Sequence, residues 1–566
     1  MILDIETDGL LGDCTVVHCA VLRALGQAGK VRTFAPHEIK DLLAALDEEK
    51  LLVGHNLQDF DLAVLRKLYG YEYKGKVLDT LVTARLIWPD LRESDFGLVK
   101  NGKLPAGLVG RHSLEAWGYR LGYHKGEFAK TTDWQRYSTE MLEYCVRDTQ
   151  VTSRLFDAIA ETHPDQRAVT IEHSFAKCIS QMIQNGIAFD RKAAEDLSVK
   201  LMMERADIDT YLVSRFPPFV DKYMTPKKKI EKTKMTAFNP QSRAHIARAL
   251  REKYGWTPSA FTETGEPQLD ESVIAKLPYE EAGKIGRRLL LQKRLGQLVE
   301  GSQNWMTSVM SDGRIHGYVN HNGAVTGRCT HSSPNMAQVP KEKEYRSLFV
   351  PRHGHVMVGA DASGLELRCF AHYLAKYDSG EYAKEVISGD IHTRNQKAAG
   401  LETRAQAKTF IYGLLYGAGD AKIGEIVNGS EKQGKELRAR FKEAVPAYDS
   451  LIKDLKATLL KRKHLIGIDG RRLHVRNQHA ALNTLLQSAG AIAMKVATIK
   501  ACAELDGRAL LVAHVHDEMQ FECLPDVAEL VGSIAVESIR SAGVELGFRC
   551  PLDGEWRSGK SWADTH

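Results

Sequence analysis

The chain has 566 residues, enough for about three to four domains of roughly 150 residues each. Hydrophobic residues make up 43% and charged residues 26% of it, which excludes a disordered chain, a collagen-like chain and a disulfide scaffold. The net charge is +5, and because residues 1–160 carry 20 basic and 23 acidic side chains, the basic excess lies entirely in the remainder. A basic remainder suits a polyanionic partner.

The sequence predicts neither a membrane span nor a targeting signal. The longest apolar runs, such as Ala509 to Val515, are far shorter than the roughly 18 residues that a span needs. The chain starts with a strand-like run, Met1 to Glu6, that lacks the pattern of a signal or transit peptide. The nine cysteines show neither a CxxC pair nor zinc-ligand spacing, so we expect reduced thiols and a cytoplasmic protein.

The first 160 residues alternate strand and helix patterns. Ile2 to Ile5 and Val16 to Leu22 are typical of strands, and Asp61 to Tyr69 is typical of an amphipathic helix. Asp4 and Glu6 are two residues apart in the first strand, so their carboxylates share one face of it. An α/β layer with paired carboxylates is predicted.

Other acidic residues of this region fit the same site. Tyr144 and Asp148 are four residues apart and share one helical face. The four carboxylates that we expect to converge are those of Asp4, Glu6, Asp61 and Asp148. Such oxygen ligands bind Mg²⁺ or Mn²⁺, and two ions about 3.5–4 Å apart would stabilise the attacking and leaving oxygens of phosphodiester cleavage. Tyr144 would orient the attacking water. The alternative is that these residues are ordinary edge-strand and surface charges.

From Asp190 onward, two apolar stripes predict two long antiparallel helices. The stripes consist of Leu197, Leu201, Ile208 and Leu212 and of Leu291, Leu295 and Leu298. The Pro- and Lys-rich segment from Phe216 to Lys234 lies between them and has no periodicity. We therefore expect a solvated loop there.

A second acidic pair follows in the C-terminal half. Val356 to Ala360 is an apolar strand that runs into Asp361, and Ala509 to Val515 runs into His516-Asp517-Glu518 before Met519 to Cys523 returns as a strand. The intervening block is mostly helical, so a sheet interrupted by a helical insertion is predicted. Carboxylates on neighbouring strand tips would hold two Mg²⁺ ions, one activating a primer 3′ hydroxyl and one binding triphosphate oxygens. Two ordinary turn acids are the alternative.

The helical block between the two strands carries a basic and aromatic stripe. Arg404, Lys408 and Tyr412 are spaced by four residues and therefore lie near one helical face. The two cations can neutralise a triphosphate, and Lys408 can donate a proton to the leaving pyrophosphate. The tyrosine ring can pack against a nascent base pair. Taken alone, a solvated basic face with one packed tyrosine would also explain this stripe.

Two family resemblances account for these motifs. The succession DIETDG, HNxxxFD and YxxxD resembles the DEDD family of 3′ to 5′ exonucleases, in the subclass with tyrosine, and Asp79-Thr80 and Ser113-Leu114 fit that family's intermediate elements. DASGLELR from Asp361, RAQAKTFIYG from Arg404 and VHDE from Val515 match motifs A, B and C of family A DNA polymerases. Further identities, NGAVTGR, GDIHT and AALNTLLQSAG, resemble the replicative polymerases of T-seven-like podophages.

The polymerase resemblance implies residue roles. Asp361 and Asp517 are expected to be metal ligands, and beside them Glu518 is expected to be catalytic and His516 to contact DNA. The triphosphate is expected to contact His392, Arg404 and Lys408, with Tyr412 next to the sugar and Glu366 blocking a ribose 2′ hydroxyl. Arg328 and Gln487 are expected to read the minor-groove acceptors that base pairs share.

The resemblance also implies a fold and partners. We expect a ribonuclease H-like exonuclease domain followed by a right hand of palm, fingers and thumb. The predicted boundaries are 1–160 for the exonuclease, 161–190 for a connection and the start of the palm, 191–310 for the thumb, 311–373 for the first palm part, 374–482 for the fingers and 483–566 for the second palm part. Expected partners are primer-template DNA, deoxynucleoside triphosphates, a phage helicase-primase and a single-strand DNA-binding protein, for a monomer in the host cytoplasm.

Three other functions fit these residues less well than a proofreading replicative polymerase does. A nuclease with a decayed polymerase half would not retain Asp361, Asp517, Lys408 and Tyr412 together. A single-subunit RNA polymerase conflicts with Glu366 and with the exonuclease motifs. A nonenzymatic interaction protein would leave two metal constellations unexplained.

The segment between the two long helices departs from the resembled type. T-seven-like enzymes carry there a long insertion that captures thioredoxin, whereas only 21 residues separate Phe216 from Phe238 here. We therefore expect this protein to work without thioredoxin. The lysines expected to contact duplex phosphates instead are Lys227, Lys228, Lys229, Lys232 and Lys234. A solvated lysine loop that only aids solubility is the alternative.

Overall fold

The structure is a computed structural model that describes residues 1–26, 29–123, 132–224, 231–258, 260–262 and 264–565. The chain divides into two compact units. The first consists of Met1–Gly186, Tyr318–Gln338 and Pro351–His566, and the second of Ile187–Gly317 and Val339–Val350. Within the described residues, no helix combines the length and apolar character that crossing a membrane requires.

The N-terminal part of the first unit is built on a five-stranded sheet. Its strands are β1 (Ile2–Thr7), β2 (Val17–Arg23), β3 (Val31–Phe34), β4 (Leu51–Gly54) and β5 (Lys76–Asp79), in the order β3-β2-β1-β4-β5. Its helices are Ile39–Asp47, Asp61–Tyr69, Thr80–Ile87, Arg92–Lys100, Leu114–Arg120 and Thr139–Glu161. Strand β1 is antiparallel to β2 and parallel to β4.

Both faces of this sheet are covered, which explains why β2 is buried along its whole length. On one face, Leu22 packs with Leu42 of the helix Ile39–Asp47. On the other, Val21 packs with Met141 of the helix Thr139–Glu161. The predicted α/β layer and the helix Asp61–Tyr69 are confirmed.

The second unit contains the two long helices that the apolar stripes predicted. They are Arg191–Arg215 and Ala282–Leu295, the latter continuing as the π-helical turn Gly296–Glu300. Ion pairs from Arg215 to Glu281 and from Arg205 to Glu300 show that the helices run antiparallel. The remaining elements are β6 (Ile187–Phe189), β7 (Phe219–Met224), β8 (Glu231–Thr236), β9 (Arg314–Ile315) and β12 (Phe349–Val350), with the helices Arg243–Tyr254, Glu271–Ile274, Trp305–Ser308 and Lys343–Arg346.

The prediction of an unstructured loop between these helices is wrong for part of the segment. β7 and β8 pair as an antiparallel ribbon, with Phe219 opposite Thr236 and Met224 opposite Glu231. Most of their side chains are exposed on both faces, so the ribbon has no buried face and needs no alternation of polar and apolar residues. The strand pairing was therefore invisible to periodicity.

The C-terminal part of the first unit contains a four-stranded antiparallel sheet in the order β16-β17-β13-β18. Its strands are β13 (Val356–Ala362), β16 (Ala509–Val515), β17 (Glu518–Cys523) and β18 (Gly554–Gly559). Short strands occur elsewhere in this unit: β10 (Tyr318–Asn320) pairs with β11 (Thr330–Ser332), and β14 (His464–Ile466) pairs with β15 (Arg472–His474).

Helices occupy the chain between β13 and β16, as the interrupted-sheet prediction requires. They are Leu365–Asp378, Glu381–Ser388, Ile391–Ala399, Arg404–Leu415, Asp420–Glu425, Glu431–Ala444, Pro446–Arg462 and Ala481–Leu505. The helices Gln166–Asn185 and Ala528–Leu546 pack on the sheet. One apolar core runs from Val358 in the sheet to Phe410 and Phe441 in the inserted helices, so the sheet and its insertion form one body.

Candidate active sites

The N-terminal carboxylates meet at strand β1. The backbone N–H of Ile5, between Asp4 and Glu6, donates to Asp61 Oδ1 at 3.0 Å, so the helix Asp61–Tyr69 begins directly beside the pair. Burial raises the pKa of Asp61 well above its usual range, and the charge of Asp4 raises it further. Asp61 is therefore a buried carboxyl group beside a second carboxylate, that of Asp4.

The helix Thr139–Glu161 supplies the other predicted residues of this site. It packs across β1 and β2, and it carries both Tyr144 and the buried Asp148. The ring of Tyr144 lies edge-on to Trp134, with centroids 6.3 Å apart. Tyr144 and Asp148 share one face of this helix, and their convergence with Asp4, Glu6 and Asp61 stays a prediction.

The loop that leads into Asp61 is held by Asp79. Its carboxylate accepts hydrogen bonds from the backbone N–H groups of Asn56 and Gln58 at 3.0 and 3.2 Å, and it caps the helix Thr80–Ile87. Asp79 thus acts here as an anchor of the loop.

Sequence reasoning missed Cys145. Its thiol lies 3.3 Å from both the backbone oxygen and Oδ2 of Asp4, and ligand atoms of Asp4, Glu6 and Cys145 all lie within 4.8 Å of one another. Burial raises the pKa of this thiol well above its usual range, as do the neighbouring Cys19 and the Asp4 carboxylate. Cys145 is therefore a neutral donor that helps to orient Asp4. The one signal in the sequence was its position beside Tyr144.

The second pair of carboxylates lies at adjacent strand tips. Asp361 near the end of β13 pairs in register with Glu518, the first residue of β17, and the backbone N–H of Ala362 donates to the backbone oxygen of Asp517 at 3.0 Å. Val515 pairs with Glu518, so His516 and Asp517 form the two-residue turn of a hairpin. His516 has a φ of 58°, the left-handed conformation that such tight turns use. The predicted hairpin is confirmed.

Glu518 is engaged differently from the two aspartates. It is buried, and one of its oxygens accepts hydrogen bonds from Gln520 Nε2 at 2.6 Å and from the indole N–H of Trp562. These contacts make Glu518 an anchor for the C-terminal turn Trp562–Asp564. The catalytic role predicted for Glu518 stays a prediction.

The helix Arg404–Leu415 presents the predicted cationic stripe. Thr403 and Gln406 form a capping box at its N-terminus, which fixes the start of the helix. Arg404 and Lys408 are exposed, and Arg404 Nε lies 2.9 Å from Asp390 Oδ2. The pKa of His392 is lowered by burial and by both cations, so the three basic side chains form one cluster.

Tyr412 and Glu366 lie close to the carboxylate pair. Partial burial raises the pKa of Tyr412, and the charges of Glu366 and Asp517 raise it further. Glu366 Oε1 accepts a hydrogen bond from the hydroxyl of Tyr416 and lies 3.5 Å from Arg328 Nη2. Tyr416 was missed, although it continues the stripe of Arg404, Lys408 and Tyr412 by four more residues.

The residues predicted to contact DNA lie on two further parts of the fold. Arg328 lies in the loop between β10 and β11, and Gln487 lies on the helix Ala481–Leu505. A Cβ on Gly490 of that helix would lie 3.2 Å from Leu365, so the helix packs tightly on Leu365–Asp378, which also carries Glu366. Lys227, Lys228 and Lys229 lie outside the described residues, whereas Lys232 and Lys234 are exposed on β8.

Comparisons with known proteins bear on the family to which the chain belongs. The family model "DNA polymerase family A" matches residues 218–564. The DNA-directed DNA polymerases of Enterobacteria phage T3 and Escherichia phage T7 are 35% and 36% identical to this chain, and each alignment covers 100% of both proteins. DNA polymerase I of Aquifex aeolicus is 24% identical, over 93% of this chain and 90% of that protein.

A solved structure has the same fold. It is the POL domain of Pol1 from M. smegmatis in complex with a DNA primer-template and dNTP, with a TM-score of 0.78 and 19% identity, and the match covers 99% of this chain and 96% of that one. This likeness confirms the predicted fold class. Together with the family match and the full-length similarity to the two phage enzymes, it shows that the chain belongs to family A of the DNA polymerases, of the phage T7-like type.

Proposed function

We propose that this family A DNA-directed DNA polymerase extends a primer 3′ end with deoxynucleotides at one site and trims unpaired 3′ ends at a second site in its first 160 residues. The observation that carries the polymerase site is the adjacency of Asp361 and Asp517, whose strand tips are joined by the hydrogen bond from Ala362 to Asp517. The observation that carries the second site is the bond from Ile5 to Asp61, which brings Asp61 beside Asp4 and Glu6.

Both sets of residues fit divalent cations. Carboxylate oxygens are the ligands that Mg²⁺ and Mn²⁺ prefer, and ligand atoms of Asp4 and Glu6 lie within 4.8 Å of each other. Asp361 and Asp517 would hold two Mg²⁺ ions, and Asp4, Glu6, Asp61 and Asp148 another two. When bound, the ions supply charge stabilisation to the attacking and leaving oxygens of phosphoryl transfer.

The side chains of the polymerase site have separate tasks. Arg404, Lys408 and His392 bind the triphosphate, and Lys408 donates a proton to the leaving pyrophosphate. Tyr412 packs against the sugar of the incoming nucleotide. Glu366, held by Tyr416 and Arg328, occupies the space that a ribose 2′ hydroxyl would need, so deoxynucleotides are selected.

The side chains of the trimming site act in a similar way. Tyr144 orients the water that attacks the terminal phosphodiester. Cys145 holds Asp4 through the hydrogen bond from its thiol. The Asp79 carboxylate keeps the loop at Asn56 in place, so that Asp61 faces the other carboxylates.

The two activities should be separable by substitution. Replacing Asp4 and Glu6 with Ala should reduce trimming of a labelled 3′ end by at least about 10²-fold, because the charge stabilisation of the transition state is lost, while primer extension continues. Asp361→Ala should stop primer extension while trimming of the 3′ end continues. Each variant is the other's control, and a variant that loses both activities, or retains the one it should lose, contradicts the assignment.

We further propose that the protein works without thioredoxin. The alignments with the T3 and T7 polymerases run over 705 positions, whereas this chain has 566 residues, so these relatives carry segments that are missing here. Between Phe216 and Phe238, the described residues form the narrow ribbon of β7 and β8, and the helices Arg243–Tyr254 and Glu271–Ile274 follow it before the second long helix. In place of a docked protein, the five lysines between Lys227 and Lys234 would retain the template.

A further inference from the structure

A cluster of buried charges lies in the interior of the first unit. Glu172 Oε1 accepts hydrogen bonds from Lys495 Nζ at 2.5 Å and from Arg471 Nη2 at 2.6 Å, and its Oε2 contacts His321 Nδ1 at 2.9 Å. Arg471 also donates to Asp469 at 2.7 Å. Each of these five side chains belongs to a residue that is at most 4% exposed, and we call them the Glu172 cluster.

The cluster is electrically balanced. Burial by itself would raise the pKa of Glu172, but Lys495 and Arg471 hold it well below its usual range, and burial lowers the pKa of His321, which is therefore neutral. Two carboxylates face one ammonium and one guanidinium. A buried ion pair of this kind seldom stabilises a fold more than apolar residues of the same size would. The hydrogen bonds of Glu172 have fixed directions and therefore fix the positions of its partners. Apolar residues of the same size would not do this.

One side of the Glu172 cluster supports the loop that carries Arg328. Arg471 Nη1 lies 3.5 Å from Asn322 Oδ1, and Asn322 Nδ2 donates to the backbone oxygen of Arg85 at 2.8 Å. A Cβ on Gly327, which has a φ of +80°, would lie only 2.6 Å from Arg471 Nη1. The guanidinium therefore presses against the backbone of the residue that precedes Arg328.

The other side holds the helix that carries Gln487. Lys495 lies eight residues beyond Gln487 on the helix Ala481–Leu505, which is about two turns. One carboxylate, that of Glu172, thus bonds both the helix of Gln487, through Lys495, and the loop of Arg328, through His321 and Arg471.

We propose that the Glu172 cluster fixes the distance between Arg328 and Gln487 and thereby sets how strongly the polymerase rejects a mismatched primer end. This inference rests on the proposed polymerase function and on the minor-groove contacts predicted for the two residues. Glu172, Arg471 and Lys495 are positioning residues, which act through Arg328 and Gln487 and do not touch DNA.

The test removes the central pair without leaving a buried charge unbalanced. Glu172→Gln combined with Lys495→Met takes away one negative and one positive charge and retains the pair of Asp469 and Arg471. The background is Asp4→Ala with Glu6→Ala, so that trimming does not mask mismatch extension. The measurement is the ratio of kcat/KM for extending matched and mismatched 3′ ends, together with the melting temperature.

We expect this ratio to fall by about tenfold or more, since a misplacement of ~1 Å at a reaction site can cost about 10²-fold. A folded variant with an unchanged ratio overturns the proposal. Should the double variant fail to fold, Asn322→Ala cuts only the contacts from the loop to Arg471 and Arg85. That variant must then show the same loss, and an unchanged ratio there is equally decisive.

A matched control tests whether any lost buried ion pair has this effect. Asp95 and Arg120 form such a pair at 2.8 Å in the N-terminal part of the unit. Asp95→Asn with Arg120→Met should leave the mismatch ratio unchanged. An equal loss in this control would show that general destabilisation, and not positioning, is the cause.

Arg328→Ala separates this inference from the proposed function. If Arg328→Ala lowers the ratio but the cluster variant does not, the proposed role of Arg328 stands and the inference is wrong. If Arg328→Ala itself has no effect, the predicted minor-groove contact is wrong. Combining the cluster substitutions with Arg328→Ala should add little further loss, because the two act through the same contact, and fully additive losses contradict the proposal.

Discussion

Sugar selection is proposed to depend on one side chain, that of Glu366. It is held by Tyr416 and Arg328, so its carboxylate cannot swing away from an incoming nucleotide without losing both contacts. We predict that Glu366→Ala raises the ratio of ribonucleotide to deoxynucleotide incorporation by about tenfold or more, since the space for a 2′ hydroxyl opens. Single-nucleotide insertion kinetics measure this ratio.

The matched control for Glu366 is Glu381→Ala, which removes an exposed glutamate from a neighbouring helix. It should leave sugar selection unchanged. Tyr416→Phe removes one of the two contacts and should relax selection partly. A wild-type ratio in Glu366→Ala would show that this carboxylate does not face the sugar.

Tyr412 should govern the use of chain terminators. Burial and the charges of Glu366 and Asp517 raise the pKa of its hydroxyl, so the side chain lies near both carboxylates. Tyr412→Phe removes only this hydroxyl group. The family resemblance implies that the tyrosine tolerates a sugar without a 3′ hydroxyl. We therefore expect Tyr412→Phe to reject dideoxynucleotides more strongly, as measured by termination patterns on a primed template. Unchanged termination would place Tyr412 away from the sugar.

At the scale of helices, Glu281 joins three elements of the second unit. It immediately precedes the helix Ala282–Leu295, and it contacts Arg215 and Lys253, which lie at the ends of two other helices. Burial by itself would raise the pKa of this fully buried carboxylate, but hydrogen bonds from Lys253 and Tyr254 and the contact with Arg215 lower it from 4.5 to about 2. A depressed pKa means that the anion stabilises the fold above pH 4.5 and that this contribution is lost as the pH falls towards 2.

We predict that Glu281→Gln lowers the free energy of unfolding by about 3 kcal/mol at pH 7, because the partners of the carboxylate lose their counter-charge. The wild-type protein should lose stability between pH 4.5 and 2, and the variant should lose less over the same range. Thermal unfolding at a series of pH values measures both effects. Parallel pH profiles for the two proteins would show that Glu281 is not the responsible carboxylate.

The ribbon of β7 and β8 is predicted to bind duplex phosphates. Lys232 and Lys234 are exposed on β8, and Lys227, Lys228 and Lys229 lie outside the described residues. Changing all five to Ala should reduce the slope of log affinity against log salt by roughly 0.9 for each lysine that contacts a phosphate. Lys192→Ala with Lys200→Ala, on a helix of the same unit, is the control. If the slope of log affinity against log salt is unchanged, these lysines do not contact phosphates and only aid solubility.

For the whole molecule, independence from thioredoxin is the most direct prediction. Added thioredoxin should not lengthen the products of a single-encounter extension assay, since only 21 residues separate Phe216 from Phe238 and the described ones form a narrow ribbon. A polymerase whose products lengthen with thioredoxin is the positive control for the assay. Longer products from this protein in the presence of thioredoxin would contradict the prediction.

Removal of divalent ions should act on the whole molecule as well. EDTA is expected to stop both extension and trimming, because the proposed mechanism requires oxygen-ligated cations at both sites, and added Mg²⁺ should restore both. The melting temperature should change little, since neither carboxylate set contributes to the apolar cores. Trimming that persists in EDTA would exclude a metal-dependent site at Asp4 and Glu6.

Much of the fold followed from local patterns in the sequence. The helix Asp61–Tyr69 and the hairpin that turns at Asp517 have the predicted places, since the period of a helix or strand and the residues of a tight turn are read within a few positions. The ribbon of β7 and β8 escaped this reasoning because a strand exposed on both faces shows no alternation.

The sequence alone therefore determined the two sets of acidic residues, the order of elements around them and the resemblance to family A polymerases. Only the tertiary structure revealed that Cys145 bonds Asp4, that Tyr416 holds Glu366 and that Glu172 joins Lys495 to Arg471. These contacts link residues 50 to 323 positions apart. No local period or spacing encodes such pairs, because they depend on how the sheet and the helices pack against one another.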